Sequence, residues 1–382
     1  MRIALQSVFL LSMAFTLYTL AGYPLLLGLL ARFRTRPIRK QFQPKSVTVL
    51  LPVRNGERWL PAKLKSLSAL RYPRELLDIL VISDGSSDAT DSIAEKFGGP
   101  VQLLRLPGGG KAVALNAGLE RARGEILFLT DVRQELERDS LRNLVACFAD
   151  PQVGVVSGEL VIRDGQTHEE LSVGLYWKYE KWLRKGESRL DSVMGATGCI
   201  YAMRRELAKP LPPGTLVDDM YLPLAAFFRG YRIILEESAK AFDFPTALDT
   251  EFQRKVRTQA GVYQIIRLYP QLLTPRNRMW LAFLSHKLAR LLLPFALALI
   301  ALTTFALPDP WLTGALLAQA FFYGMALFDP LIPEDFSAKR VSAPARSFVV
   351  LLAAAFCAPF VLLRSPENVW KETRVRSARP LP

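Results

Sequence analysis

The hydrophobic pattern changes character along the chain. From Ile3 to Ala31 no charged residue interrupts the apolar run, which as a helix is long enough to cross about 30 Å of hydrocarbon. From Ser46 the apolar residues fall into short β-branched runs alternating with stretches of helical spacing. Ser46–Val53 (SVTVLLPV) predicts a strand ending at the turn-like Arg54-Asn55-Gly56. Glu57 to Leu70 predicts a helix with Leu60, Leu64, Leu67 and Leu70 on one face. Further strands are expected at Asp78–Ser83, Val101–Leu106, Glu125–Thr130 and Val153–Leu160, and helices at Lys111–Ala122, Ser140–Phe148 and Leu171–Lys185. Strands separated by single helices predict an α/β fold with a mainly parallel, doubly wound sheet. Three more uncharged runs follow, Leu291 to Pro308, Pro310 to Phe328 and Ser347 to Leu363. A soluble domain rarely strings three such segments together, so they are expected to be membrane helices.

Charge sharpens this division. The net charge is +14, but Gln41 to Glu251 carries a net −2. The basic excess lies beside the apolar segments: five basic and no acidic residues in Arg32–Lys40, and eight basic and no acidic residues in Phe252–Pro308. That placement suits anionic lipid head groups and argues against a nucleic-acid binder, which would carry the excess on its folded domain. The Arg32–Lys40 flank reads as a cytoplasmic stop, making the first segment an anchor and not a cleaved leader. Three scattered cysteines argue against a disulfide framework, and two distant histidines allow no His/Cys metal cluster. Any metal is then a hard ion on oxygen ligands. The expected organisation is an anchor (1–31), a basic juxtamembrane linker (32–45), an α/β domain (46–262), a basic membrane-proximal segment (263–290), about three membrane helices (291–363) and a basic tail (364–382).

Two aspartates mark the chemistry. Asp84 in SDGSSD and Asp131 in LFLTDVR each stand where a buried strand ends, the position that faces the ligand crevice of an open α/β sheet. Before the second strand, Gly108-Gly109-Gly110-Lys111 opens a helix, placing a cation and free N–H groups where a phosphate would bind. Together these point to a nucleotide-sugar site.

The ordered motifs PVRNGE, SDGSSD, GGGKAVALNAG, LFLTDVR, GATGCIYAMRRE, the Asp218-Asp219 pair and RKVRT resemble the family-2 glycosyltransferases of GT-A fold, over residues 46 to about 262. The resemblance looks closest to the membrane-embedded branch of polysaccharide synthases and lipid-linked sugar transferases. It implies that Asp84 contacts the nucleoside, with Pro52, Val53 and Asn55 walling the base. It implies that Lys111 and Arg257 meet the phosphates, and that Asp131 holds Mg²⁺ or Mn²⁺ against the diphosphate. Asp219, seconded by Asp218, matches the catalytic base of inverting transferases, since a carboxylate opposite the leaving group can accept the acceptor hydroxyl's proton. Gly195, Thr197 and Gly198 match an acceptor pocket.

Two departures stand out. The family's Asp-x-Asp has Arg133 at its second acid, where the cation either contacts phosphate or pairs with an acid. The family's Gln-x-x-Arg-Trp has Arg254 for glutamine and Thr258 for tryptophan; lacking that aromatic platform, the chain is expected to add one or few sugars per acceptor. The implied enzyme is a multi-pass protein of the cell membrane with its catalytic domain facing the cytoplasm. It would move sugar from a UDP-sugar to a lipid-linked or membrane-proximal hydroxyl. The alternatives are a processive polysaccharide synthase and a non-catalytic nucleotide-binding membrane subunit.

Overall fold

The computed structural model describes residues 1–162, 168–244 and 248–362; the basic tail (364–382) lies outside them. The chain forms two compact units. One comprises residues 34–163 and 184–243, the other residues 1–33, 164–183 and 244–382.

The first of these contains one eight-stranded sheet. Its strands are β1 (Val47–Val53), β2 (Leu77–Asp84), β3 (Val101–Leu106), β4 (Ile126–Leu129), β5 (Glu135–Leu136), β6 (Val153–Ile162), β7 (Tyr201–Arg204) and β8 (Arg232–Asp243), in the order β3-β2-β1-β4-β7-β6-β8-β5. The strands β3-β2-β1-β4 are all parallel. β7 is antiparallel to both β4 and β6, β8 runs parallel to β6, and β5 is antiparallel to β8. The parallel half follows the expected doubly wound pattern, and β5, β7 and β8 make the whole a mixed sheet. β1 and β2 are apolar without alternation because helices cover both faces. Val49, Leu51, Ile79, Val81 and Phe128 pack with Leu60, Leu64, Leu67, Leu141 and Leu144 in one core. The covering helices include α1 (Leu60–Ser68), α2 (Thr90–Phe97), α3 (Lys111–Arg121) and α4 (Ser140–Ala146). Helix α5 (His168–Leu190) and helix α6 (Asp218–Phe227) follow.

β8 escapes the hydrophobic pattern because Glu236, Glu237 and Lys240 interrupt it. Glu236 is nevertheless buried, 2.5 Å from Lys40 and accepting from Ser238. Those partners outweigh its burial and hold the carboxyl below its ordinary value. Lys40 belongs to the stretch expected as a basic linker. Residues 34–45 are instead part of this unit: Arg36 pairs with Asp191 at 2.7 Å, and Ile38 and Phe42 pack on the core. Arg36 and Lys40 thus find carboxylates within this unit.

The other unit contains α7 (Leu248–Leu268) and, among the described residues, four helices long and apolar enough to cross a membrane: Arg2–Phe33, Trp280–Ala306, Trp311–Leu331 and Lys339–Val361. Residues 244–262, expected within the α/β domain, fall in this unit. Two spans begin earlier than their uncharged runs. The helix from Trp280 takes in His286, Lys287 and Arg290, and all three meet Glu180 of α5: His286 Nε2 at 3.1 Å, Lys287 Nζ at 3.4 Å, and Arg290. They hold the buried Glu180 carboxyl well below its ordinary range despite the opposing effect of burial. The helix from Lys339 likewise takes in Lys339 and Arg346, which meet the buried Asp329 at 3.2 and 3.5 Å, with Ser342 donating to it at 2.6 Å. Cations end a hydrophobic run in sequence, yet a buried acid lets the helix continue through them.

Replacing Glu180 by glutamine keeps the shape and removes the charge. Breaking one side of a buried ionic cluster costs about 3 kcal/mol, so Glu180→Gln should lower the unfolding midpoint of the detergent-solubilised protein clearly. An unchanged midpoint would show that the cluster adds no stability.

Candidate active site

The order β3-β2-β1-β4 reverses direction at β1, so the crevice opens outside the carboxyl ends of β1 and β4. Pro52 and Val53 end β1, Asp84 ends β2, and Asp131 follows β4 by two residues. Asn55, at φ 51°, accepts the Ser87 N–H at 2.8 Å while its own N–H donates to Ser86 Oγ at 3.1 Å. Asp88 accepts the N–H groups of Glu57 and Thr90 at 3.0 Å each. The loops after β1 and β2 are thus stitched together by their own side chains.

Asp84 is 4% exposed. Where the sequence points to a nucleoside contact, its carboxylate is turned to the glycine loop and accepts the Gly110 N–H at 3.0 and 3.2 Å. Gly110 has φ 86°, a conformation only glycine adopts without strain, and it caps α3 just before Lys111.

Lys111 is the hub. Its ammonium lies 3.0 Å from Asp131 Oδ1 and 3.1 Å from Asp218 Oδ1. The sequence assigns this lysine to phosphate; in the folded chain it lies between the carboxylate after β4 and the one opening α6. Burial opposes its charge, but Asp131, Asp218 and Asp219 outweigh burial and raise its pKa above the ordinary value. Asp219, half-buried beside Asp218, is shifted the other way from a usual acid. Burial first, then Asp218 and Asp131, raise its carboxyl pKa against the cations Lys111 and Arg184.

The bend Gly195-Ala196-Thr197-Gly198 wraps the start of α6. Ala196 N–H donates to the Asp219 carbonyl at 2.7 Å. Thr197 Oγ1 accepts from Arg184 at 2.8 Å, and Arg184 also donates to Ser157 Oγ and the Gly195 carbonyl. A Cβ on Gly198 would lie 3.0 Å from Asp219 Oδ2, so glycine there lets the carboxylate come close.

Arg133 is resolved in favour of an acid partner. Its guanidinium lies 2.5 Å from Asp243 Oδ2, which Gln134 Nε2 also reaches at 2.8 Å; Asp243 is 2% exposed. Of the two roles the sequence leaves open for Arg133, this is the pairing with an acid. As for a metal, among the described residues no group of three or more His, Cys, Asp or Glu is arranged to hold one. Asp131, its side chain 40% exposed, fits Mg²⁺ or Mn²⁺ as a single hard-oxygen ligand, since such ions keep waters and bind substrate phosphates beside one or two carboxylates. Arg257 and Thr258 lie on α7 in the other unit. The Thr258 hydroxyl donates to the Arg254 carbonyl one turn back, at 2.9 Å.

Three residues escape the sequence reading. Arg184, on α5, carries no motif in the sequence and is brought by the fold to the 195–198 bend. Tyr201 of β7 is fully buried, with a hydroxyl that has no hydrogen-bond partner among the described residues. Burial, then Asp218, Asp219 and Asp131, push its pKa well up. Lys63, amid the leucines of α1, is 1% exposed. A polar residue on the inward stripe of an amphipathic helix was the available signal.

Residues 48–211 match the family described as glycosyl transferase family 2. Among curated proteins the chain is similar to the probable glycosyltransferase YdaM of Bacillus subtilis (strain 168), 26% identical over 200 residues, covering 49% of this chain and 48% of that protein. It is also similar to the beta-monoglucosyldiacylglycerol synthase of Trichormus variabilis (strain ATCC 29413 / PCC 7937), 23% identical over 296 residues, covering 72% and 60%. The chain thus spans about half to three-fifths of the length of these relatives. Among solved structures, the mannosyltransferase PcManGT from Pyrobaculum calidifontis, in complex with GDP-Man and Mn²⁺, superposes with a TM-score of 0.70 at 24% identity, covering 93% of this chain and 99% of that one. The likeness establishes the GT-A fold.

Gly198→Ala should displace the Asp219 carboxylate while leaving the fold intact, because Gly198 has no special backbone conformation. Small misplacements of a reacting group cost up to about 100-fold, so turnover should fall at least tenfold with an unchanged unfolding midpoint. Full turnover in this variant would mean that the close approach is incidental.

Proposed function

From a chain whose residues 48–211 make it a family-2 glycosyltransferase of GT-A fold, we propose a membrane-bound, inverting enzyme. It transfers a sugar from a UDP-sugar to a hydroxyl on a lipid-linked or membrane-proximal acceptor, with the catalytic domain at the cytoplasmic face. One observation carries the reading: Asp131 and Asp218 converge on Lys111, beside an Asp219 whose proton affinity is raised.

A carboxylate of raised pKa is a better proton acceptor at neutral pH than an ordinary one. In the proposed step Asp219 takes the proton of the acceptor hydroxyl as its oxygen bonds to the anomeric carbon. The bond from that carbon to the diphosphate breaks, and UDP leaves with the electron pair. Asp218 raises the proton affinity of Asp219 and, through Lys111, ties it to the diphosphate side of the site. Lys111 also keeps three neighbouring acids compatible until an anionic donor arrives. Mg²⁺ or Mn²⁺ on Asp131 would supply Lewis-acid neutralisation of the departing diphosphate. Asp84 acts through the glycine loop that it anchors, and Pro52, Val53 and Asn55 border the donor. Gly195, Thr197 and Gly198 border the acceptor, and Arg257 is assigned to pyrophosphate.

The four helices able to span a membrane support the lipid setting. Thr258, with its hydroxyl on its own helix, offers no aromatic platform for a growing polymer. The match of residues 48–211 to a family of glycosyltransferases speaks against the non-catalytic subunit.

Purified protein given labelled UDP-sugars and membrane lipids should yield an organic-extractable product, with GDP-sugars as the parallel arm and EDTA abolishing transfer. Asp219→Asn should lower turnover by at least 1,000-fold (about 4 kcal/mol) while donor binding stays within a few-fold. The base works ionised, so wild-type kcat should fall as pH drops through about 6, the raised value of Asp219. A water-soluble polymer would promote the synthase reading, and undiminished turnover in Asp219→Asn would remove the base assignment.

A further inference from the structure

Lys63 occupies an inward position of α1 whose neighbours are Leu60, Leu64 and Leu67. Burying an ammonium is costly unless it is hydrogen-bonded, and methionine would fill the same space without that cost. The lysine must therefore be judged by its hydrogen bonds. Its Nζ donates to Thr130 Oγ1 and to the Gln134 carbonyl, both at 2.7 Å. These acceptors bracket Asp131-Val132-Arg133. The Thr130 hydroxyl in turn donates to the Cys199 carbonyl at 2.7 Å, next to the Gly198 that adjoins Asp219. Beyond Gln134 the chain enters β5, which is paired with β8, and Arg133 is held by Asp243.

We infer that Lys63 is a positioning residue: by clasping both ends of residues 130–134 it fixes the loop that presents Asp131 to the donor's diphosphate. The inference rests on the donor site proposed above. One buried ammonium thereby joins a side-chain hydroxyl at one end of the loop to a backbone carbonyl at the other. Burial lowers its pKa to about 8 against the opposing influence of Cys199, Asp131 and Glu135. Its nearest acceptors are neutral oxygens, so its contribution is geometric as well as electrostatic.

The test uses the full-length protein in detergent and two variants. Lys63→Met keeps the volume and removes the donors; Thr130→Val keeps the shape and breaks the same clasp from the loop side. Supporting groups of this kind typically contribute about 10- to 100-fold to ligand or metal affinity. Each variant should weaken the Kd for UDP with Mn²⁺, by calorimetry, about tenfold. Hydrogen exchange of the amides of residues 131–134 should accelerate at least tenfold in the ligand-free protein, with exchange in β1 and β2 unchanged. The double variant should be no worse than the poorer single one, since both break one unit. Unchanged exchange in a folded variant overturns the inference, as does unchanged Kd beside faster exchange. If Lys63→Met does not fold, Thr130→Val decides by the same criteria. A wild type that binds neither UDP nor GDP would remove the function proposed above, while exchange would still decide whether Lys63 clasps the loop.

Discussion

Three carboxylates from two distant stretches of chain cannot share a small volume without a cation between them. Lys111 is that cation, within 3.1 Å of both Asp131 and Asp218. One carboxylate follows the last strand of the parallel half, and the other opens α6. The lysine itself begins α3, whose glycine cap is tied to Asp84 at the end of β2. The ammonium thus joins the end of β4 to the start of α6, and the glycine cap before it ties α3 to the end of β2. It also keeps Asp219 from rising further in pKa. The site is held by attraction among the groups that would react.

The Asp131 loop shows how a departure from a family pattern is absorbed. With arginine in place of the second acid, the loop carries a cation beside the proposed donor site. Asp243, from the far end of β8, takes up that charge. Lys63 enters from beneath, with its ammonium on the two ends of the same loop. The loop is therefore held from two sides, and Asp131 stands on a rigid support.

The membrane-candidate unit follows the same rule at larger scale. Glu180 gathers His286, Lys287 and Arg290, and Asp329 gathers Lys339 and Arg346. Each acid permits an apolar helix to run on through cations that would otherwise mark its end. Around the first cluster, Lys255 and Arg290 also lie against the aromatic rings of Tyr176 and Tyr179. Tyr176 and Tyr179 of α5 are thereby used for packing within this unit.

By itself the sequence determined the alternation of strands and helices, the apolar segments and the order of the acidic motifs. All of these are set by local periodicity and by residue types that suit strand ends and helix starts. The parallel character of one half of the sheet follows from that alternation, while the strand order β3-β2-β1-β4 is seen only in the fold. Tertiary structure decided what depends on partners far along the chain. β8 was hidden because the charge of its buried Glu236 is neutralised by Lys40, almost 200 residues away. The true starts of two spans were hidden because the acids that cancel their cations stand on other helices or turns. Whether Arg133 met phosphate or acid rested on Asp243, and the meaning of Lys63 on Thr130 and Gln134. A charge announces itself in a sequence, but its energy depends on which groups surround it, and only the fold brings those groups together.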